Sequence, residues 1–120
     1  MIQRLKDLKV YVWSYGLAMQ IFETAKAFHK EEMYSLTSQI IKTSRSIAAN
    51  ISEGWAKREY EQVFKQHLIH SLGSAGETQT WVEYSYDFGY TTLGSKDRIS
   101  GELDTIGKML TNLHKKWKSR

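Results

Sequence analysis

Asn50 and Glu53 are the residues whose types and spacing come nearest to chemistry. On a helix, a carboxamide and a carboxylate three positions apart sit one turn from each other and share a hydrogen-bond network. The pair has the groups for acid–base work, but no nucleophile with a His–Asp partner pattern accompanies it. The weightier reading is a structural polar network that fixes helix packing and register. The histidines offer less. None of His29, His67, His70 or His114 follows a carboxylate by three residues, so the Glu-x-x-His signature of di-iron bundles is missing. His67 and His70 lie one turn apart and have the spacing to share a ligand, although packing or surface roles are several times commoner. Neither Arg45 nor Arg58 is followed at short range by the histidine that helical-bundle ribonucleases pair with arginine. Gly73-x-x-Gly76 is no phosphate loop, since no strand precedes it and no Lys-Ser/Thr follows.

The element that must carry Asn50 and Glu53 is the segment from Leu36 to Trp55. Read as a helix, it places Leu36, Ile40, Thr43, Ile47, Asn50 and Gly54 on one stripe. Asn50 is the odd member: a carboxamide facing a core needs partners for its donors and acceptors, from Glu53 or from another helix's backbone. Ser44, Ala48 and Ser52 form a second row, small enough for a neighbouring backbone to approach. Gly54 is placed to end the helix as a left-handed cap.

This segment carries a resemblance. Leu36-Thr37-x-Gln39 followed by Ser46-Ile47-x-Ala49-Asn50-Ile51-Ser52-Glu53-Gly54 resembles the central motif of a bacterial family. Its members are described as four-helix-bundle proteins or 23S rRNA intervening-sequence proteins. The likeness continues to Gly73-Ser74 with Glu77-Thr78 and to Lys108-Met109-Leu110, and so covers nearly the whole chain. The family often has proline at His29 and Ala48, and arginine at Ile41 and Lys42. The resemblance implies an antiparallel up-and-down four-helix bundle, a ring-like homopentamer and no established enzymatic activity. It marks Gln39, Asn50, Glu53 and Gly54 as motif positions. Relatives include accessory proteins of diversity-generating retroelements, held to bind nucleic acid and reverse transcriptase.

Length and composition fit a chain of 120 residues forming one domain, 1–120, able to bury roughly two-thirds of its unfolded surface. With no cysteine there are neither disulfides nor thiolate metal sites, which suits a reducing compartment. No window of about 18 apolar residues marks a membrane span. The amino terminus is too charged for a signal peptide. The cytoplasm is the expected location, with no cofactor. Net charge is +4, and from Lys108 to Arg120 the chain has basic residues but no acidic one. Such a terminus suits nucleic acid or an acidic protein surface, or simply complements a helix dipole.

Along the chain, Tyr11, Tyr15, Ala18, Phe22 and Ala25 recur at helical spacing between about Leu5 and Phe28, with Leu8, Val12, Leu17, Ile21 and Phe28 widening the stripe. Gly16 within it weakens the helix and is expected to permit a close contact. Glu31 and Glu32 precede the positive end of the second helix. A third helix starts near Tyr60 with Phe64, Leu68, Ser71, Ala75, Thr78 and Val82 as its stripe. Gly73 and Gly76 are costly there unless a neighbour, such as the Ser44/Ala48 row, packs on them. Val82, Tyr84, Tyr86, Phe88 and Tyr90 then alternate with polar residues as in a strand. The residues alone favour helix only slightly, and the resemblance tips the segment to helix ending at Gly89. Thr91 to Ser95 reads as a loop. The last helix is the clearest, with Ile99, Leu103, Ile106, Leu110, Leu113 and Trp117 in a four–three rhythm.

The expected fold is therefore all-α, and two functional classes lead. One is a non-catalytic, oligomeric nucleic-acid-binding or accessory protein, using Lys42, Arg45, Lys57, Arg58, Lys115, Lys116, Lys118 and Arg120 against phosphates. The other is a structural or protein-interaction module that binds no nucleic acid. An unrecognised enzyme is the least favoured.

Overall fold

The segment that alternates like a strand is helical. In a computed structural model describing residues 2–120, the third helix runs without interruption from Glu61 to Asp87. Val82 and Ser85 continue its buried stripe of Phe64, Leu68, Ser71, Ala75 and Thr78. Trp81, Tyr84 and Phe88 line an adjacent face at steps of three and four, the helical neighbours of one another. The period-two alternation is a by-product of two helical stripes lying side by side. Gly89 then adopts φ +79, and the Tyr90 and Gly89 N–H groups bond back to the Ser85 and Tyr86 carbonyls in a Schellman turn.

The complete set is α1 (Lys9–Ala25), α2 (Leu36–Ala56), α3 (Glu61–Asp87) and α4 (Leu93–Lys116), with short 3-10 turns at Leu5–Asp7 and Lys30–Glu32. No strand occurs among the described residues. Helix α1 packs on α2 and α4, and α3 packs on α2 and α4, giving an up-and-down antiparallel bundle. Between α3 and α4 the loop is shorter than the sequence implies: Thr92 is already the N-cap, its hydroxyl accepting the Ser95 N–H at 3.1 Å.

One apolar core runs through all four helices, from Leu17 and Ile21 through Ile47, Ile51, Phe64 and Leu68 to Ile106 and Leu110. Each such side chain contributes about 1.5–3 kcal/mol by leaving water. Two buried hydroxyls pin α3 to α2: Ser71 donates to the Ile47 carbonyl at 2.8 Å and Thr78 to Thr43 Oγ1 at 2.9 Å.

Three expectations change. On α1 the buried stripe is Val10, Ser14, Leu17, Ile21 and Ala25, while Tyr15 and Phe22 are exposed. The helix is apolar on more than one face, and packing against α2 and α4 chose the face that carries Leu17 and Ile21, leaving Val12 exposed as well. On α2 the seam leaves the heptad after Ile47 and continues through Ile51 and Trp55. An α-helix drifts by about 20° per heptad, which carries Asn50 off the core. Gly16, Gly73 and Gly76 have open space where a Cβ would stand, so no neighbour packs on them.

Candidate nucleic-acid interface

An up-and-down bundle of this order brings the amino-terminal segment, the α2–α3 turn and the carboxyl end of α4 to the same end. The shared groove there is lined by Leu8 and Lys9 on one side and Met109, Leu113, Lys116 and Trp117 on the other.

Past Lys116 the chain leaves helical geometry and crosses the α2–α3 turn as a strap. Trp117 seats it, its ring 4.7 Å from Phe64 and 6.0 Å from Trp55, centroid to centroid. Ser119 locks it: its N–H donates to Glu61 at 2.8 Å and its hydroxyl to the Arg58 carbonyl. Beneath, the Arg58 guanidinium lies 4.2 Å from the Trp55 ring and donates to the Trp55 carbonyl at 3.0 Å. Lys118 and Arg120 are thereby held beside Lys57 and Arg58.

Of the residues picked from the sequence, Lys57, Arg58, Lys115, Lys116, Lys118 and Arg120 come together at this end. Lys42 and Arg45 do not. They sit farther back on α2, where Arg45 lies over the Phe22 ring at 5.6 Å. Arg4, Lys6 and Lys9 join the cluster from the amino terminus. Their charge was plain in the sequence, but only the antiparallel topology puts them opposite the carboxyl end.

Three carboxylates at this end, Asp7, Glu53 and Glu61, are already engaged, while Glu59 in the α2–α3 turn has no ion-pair partner among the described residues. Backbone N–H groups of Gln3 and Arg4 hold the Asp7 carboxyl below its ordinary range. Lys57, bonded at 3.0 Å, does the same for Glu53, with His67 Nε2 adding to the effect from 3.7 Å. The Ser119 N–H lowers Glu61, which also faces Lys65 at 3.5 Å. Among the described residues, Lys6, Lys9, Lys115, Lys116, Lys118 and Arg120 have no ion-pair partner. The result is a set of unpaired cations with room for phosphates.

Because its folded pKa is depressed, Glu61 favours the docked strap above the usual carboxylate range and loses that contribution as pH falls through the lowered value. The Ser119 amide resonance should therefore titrate with a midpoint below that of an ordinary glutamate. In Glu61→Ala the titration should vanish while the helices remain. A pH-independent Ser119 resonance in the parent chain would show that the latch is not made.

The motif residues take other roles. The Asn50 carboxamide is half-buried and donates within its own helix, to the Ser46 carbonyl at 2.9 Å and Ser46 Oγ at 3.2 Å, not to Glu53 or another helix. Glu53 is exposed and reaches Lys57 and His67. Gly54 is no left-handed cap; it lies inside α2, where a Cβ would stand 2.8 Å from His67 Cβ and 3.1 Å from Phe64. There α2 and α3 approach too closely to leave room for a side chain. Gln39 is half-buried at the far end of the bundle. His67 and His70 stand 6.2 Å apart, ring to ring, and among the described residues no group of three or more His, Asp or Glu side chains gathers to hold a metal ion. Nor, among these residues, is any helix long and apolar enough to cross a membrane.

A sequence model described as "23S rRNA-intervening sequence protein" matches residues 6–112. The chain belongs to that family. The match ends before Lys115, so the basic strap lies outside the matched span. The fold is similar, at a TM-score of 0.80 and 27% identity, to a crystal structure from Bacteroides thetaiotaomicron, described as a protein with unknown function from the S23 ribosomal protein family. That similarity covers 88% of this chain and 95% of the other. No curated protein matches.

Proposed function

We propose that this family member is a non-catalytic, cytoplasmic nucleic-acid-binding protein that acts as an oligomer, its basic end meeting phosphates without strong sequence preference. The observation that carries this reading is the strap: Ser119 and Trp117 fasten the tail to the α2–α3 turn, so unpaired cations from three parts of the chain share one end. Flexible lysines without planar partners suit phosphate oxygens rather than base edges.

One copy offers few contacts, and assembly raises the effective concentration of the rest. An apolar groove of about 670 Å³ between α1 and α2, walled by Tyr11, Tyr15, Met19 and Phe22 and floored by Ala48 and Ala49, supports self-association. Tyr15 and Met19 are 55% and 60% exposed, more apolar surface than a lone bundle needs to leave in water. The resemblance to the family implies a homopentamer for that assembly.

The test is electrophoretic mobility of labelled duplex RNA and DNA over a series of salt concentrations, with light scattering for mass. Binding that weakens steeply with salt, by an oligomer, is the expected result. No shift at low salt would leave the alternative, a structural or protein-interaction module.

A further inference from the structure

At the opposite end of the bundle lies a surface of contrary character. A groove of about 510 Å³ opens between the start of α2 and the end of α3, lined by Glu32, Ser35, Leu36, Gln39, Trp81, Tyr84 and Phe88. Its aromatic wall is continuous: Trp81 to Tyr84 is 5.8 Å, Tyr84 to Phe88 5.7 Å and Phe88 to Tyr90 5.9 Å between ring centroids. Tyr84 and Phe88 are 47% and 55% exposed. Only Leu36 of the lining is fully buried, so the ring faces are open to a ligand.

We infer that this groove docks an arginine side chain presented by a basic segment of a protein partner. Charge complementarity commits the occupant. The Glu32 carboxylate is held by neutral donors, the Ser35 hydroxyl at 2.7 Å, the Tyr90 phenol at 2.9 Å and the Leu36 backbone N–H at the start of α2. These bonds keep it ionised, and the influence of His29 on it is the weakest of all. No Lys or Arg pairs with Glu32 among the described residues. The carboxyl end of α3 and the amino end of α2 both border the groove, so their dipoles offset there and the Glu32 carboxylate supplies its negative charge. Among the described residues the half-buried Gln39 carboxamide has no side-chain hydrogen-bond partner, leaving its carbonyl open to a donor. A carboxylate, an unpaired carbonyl and stacked ring faces together suit a planar guanidinium, which donates at its edge and stacks on its face. A lysine ammonium is drawn to the rings only as a point charge and can neither stack flat on them nor donate along a planar edge. A phosphate is repelled, so this surface is not a second nucleic-acid site.

The experiment is fluorescence anisotropy of a labelled hexapeptide carrying two adjacent arginines, against versions with lysine or uncharged citrulline at those places. The arginine peptide should bind about fivefold more tightly than the lysine peptide and about tenfold more tightly than the citrulline peptide. Tyr84→Ala, at an exposed position, and Glu32→Gln should each weaken it about fivefold or more, while Asp104→Asn on α4 should not. Equal affinity for the arginine and lysine peptides, no binding at low salt, or insensitivity to both groove substitutions would overturn the proposal. So would a drop in oligomeric mass by light scattering on Tyr84→Ala, which would make the groove a contact between copies.

Discussion

Replacing Gly54 with alanine should destabilise the protein by about 1–3 kcal/mol, the cost of overpacking a filled interior. Helix propensity alone predicts the opposite sign, since alanine in mid-helix is worth about 1 kcal/mol over glycine. The deciding fact is the 2.8 Å from an added Cβ to His67 Cβ. That atom is the root of its side chain, fixed to the α3 backbone, so the helices themselves must part. Phe64, fully buried and 3.1 Å away, closes the other route of escape. Gly73→Ala and Gly76→Ala are the internal controls, because nothing stands within 4 Å of their Cβ positions. Each should gain up to about 1 kcal/mol. Urea midpoints at constant m-value read all three. If Gly54→Ala stabilises as the controls do, α2 and α3 do not approach each other as closely as described.

The second large effect is on binding. Changing Lys115, Lys116 and Lys118 together to glutamine should lower the slope of log affinity against log salt by about 0.9 for each duplex phosphate no longer neutralised. All three side chains reach solvent and none is ion-paired among the described residues, so thermal melting should stay close to that of the parent. Trp117 and Ser119, which fasten the strap, are untouched by the change. Lys42→Gln with Arg45→Gln serves as the comparison: both lie away from the basic end and should leave the slope nearly as it was. A slope that responds to the Lys42/Arg45 pair and ignores the triple change would move the interface to the middle of α2.

Periodicity alone was enough to find the buried stripes of α3 as far as Val82 and of α4 from Ile99. Phe64 to Val82 and Ile99 to Leu110 are apolar or small on one stripe and mostly polar around it, so the period of the pattern reveals the buried face. On α1 that logic has no purchase. Tyr11, Val12, Trp13, Tyr15, Leu17, Met19, Ile21 and Phe22 put apolar groups on nearly every side, and packing against α2 and α4 chose Leu17 and Ile21 for the core. The Trp81–Phe88 segment was readable only in part, since its two helical stripes together imitate a strand. Asn50 looked like a core residue because a strict heptad was continued past the point where a real helix rotates away from it. Gly54 was legible as special, but its reason is the approach of a second helix, which no local pattern encodes. The same holds for the basic end. Each cation is visible in the sequence, yet Arg4 and Arg120 lie at opposite ends of the chain, and the return path of four antiparallel helices is what brings them to the same end of the bundle.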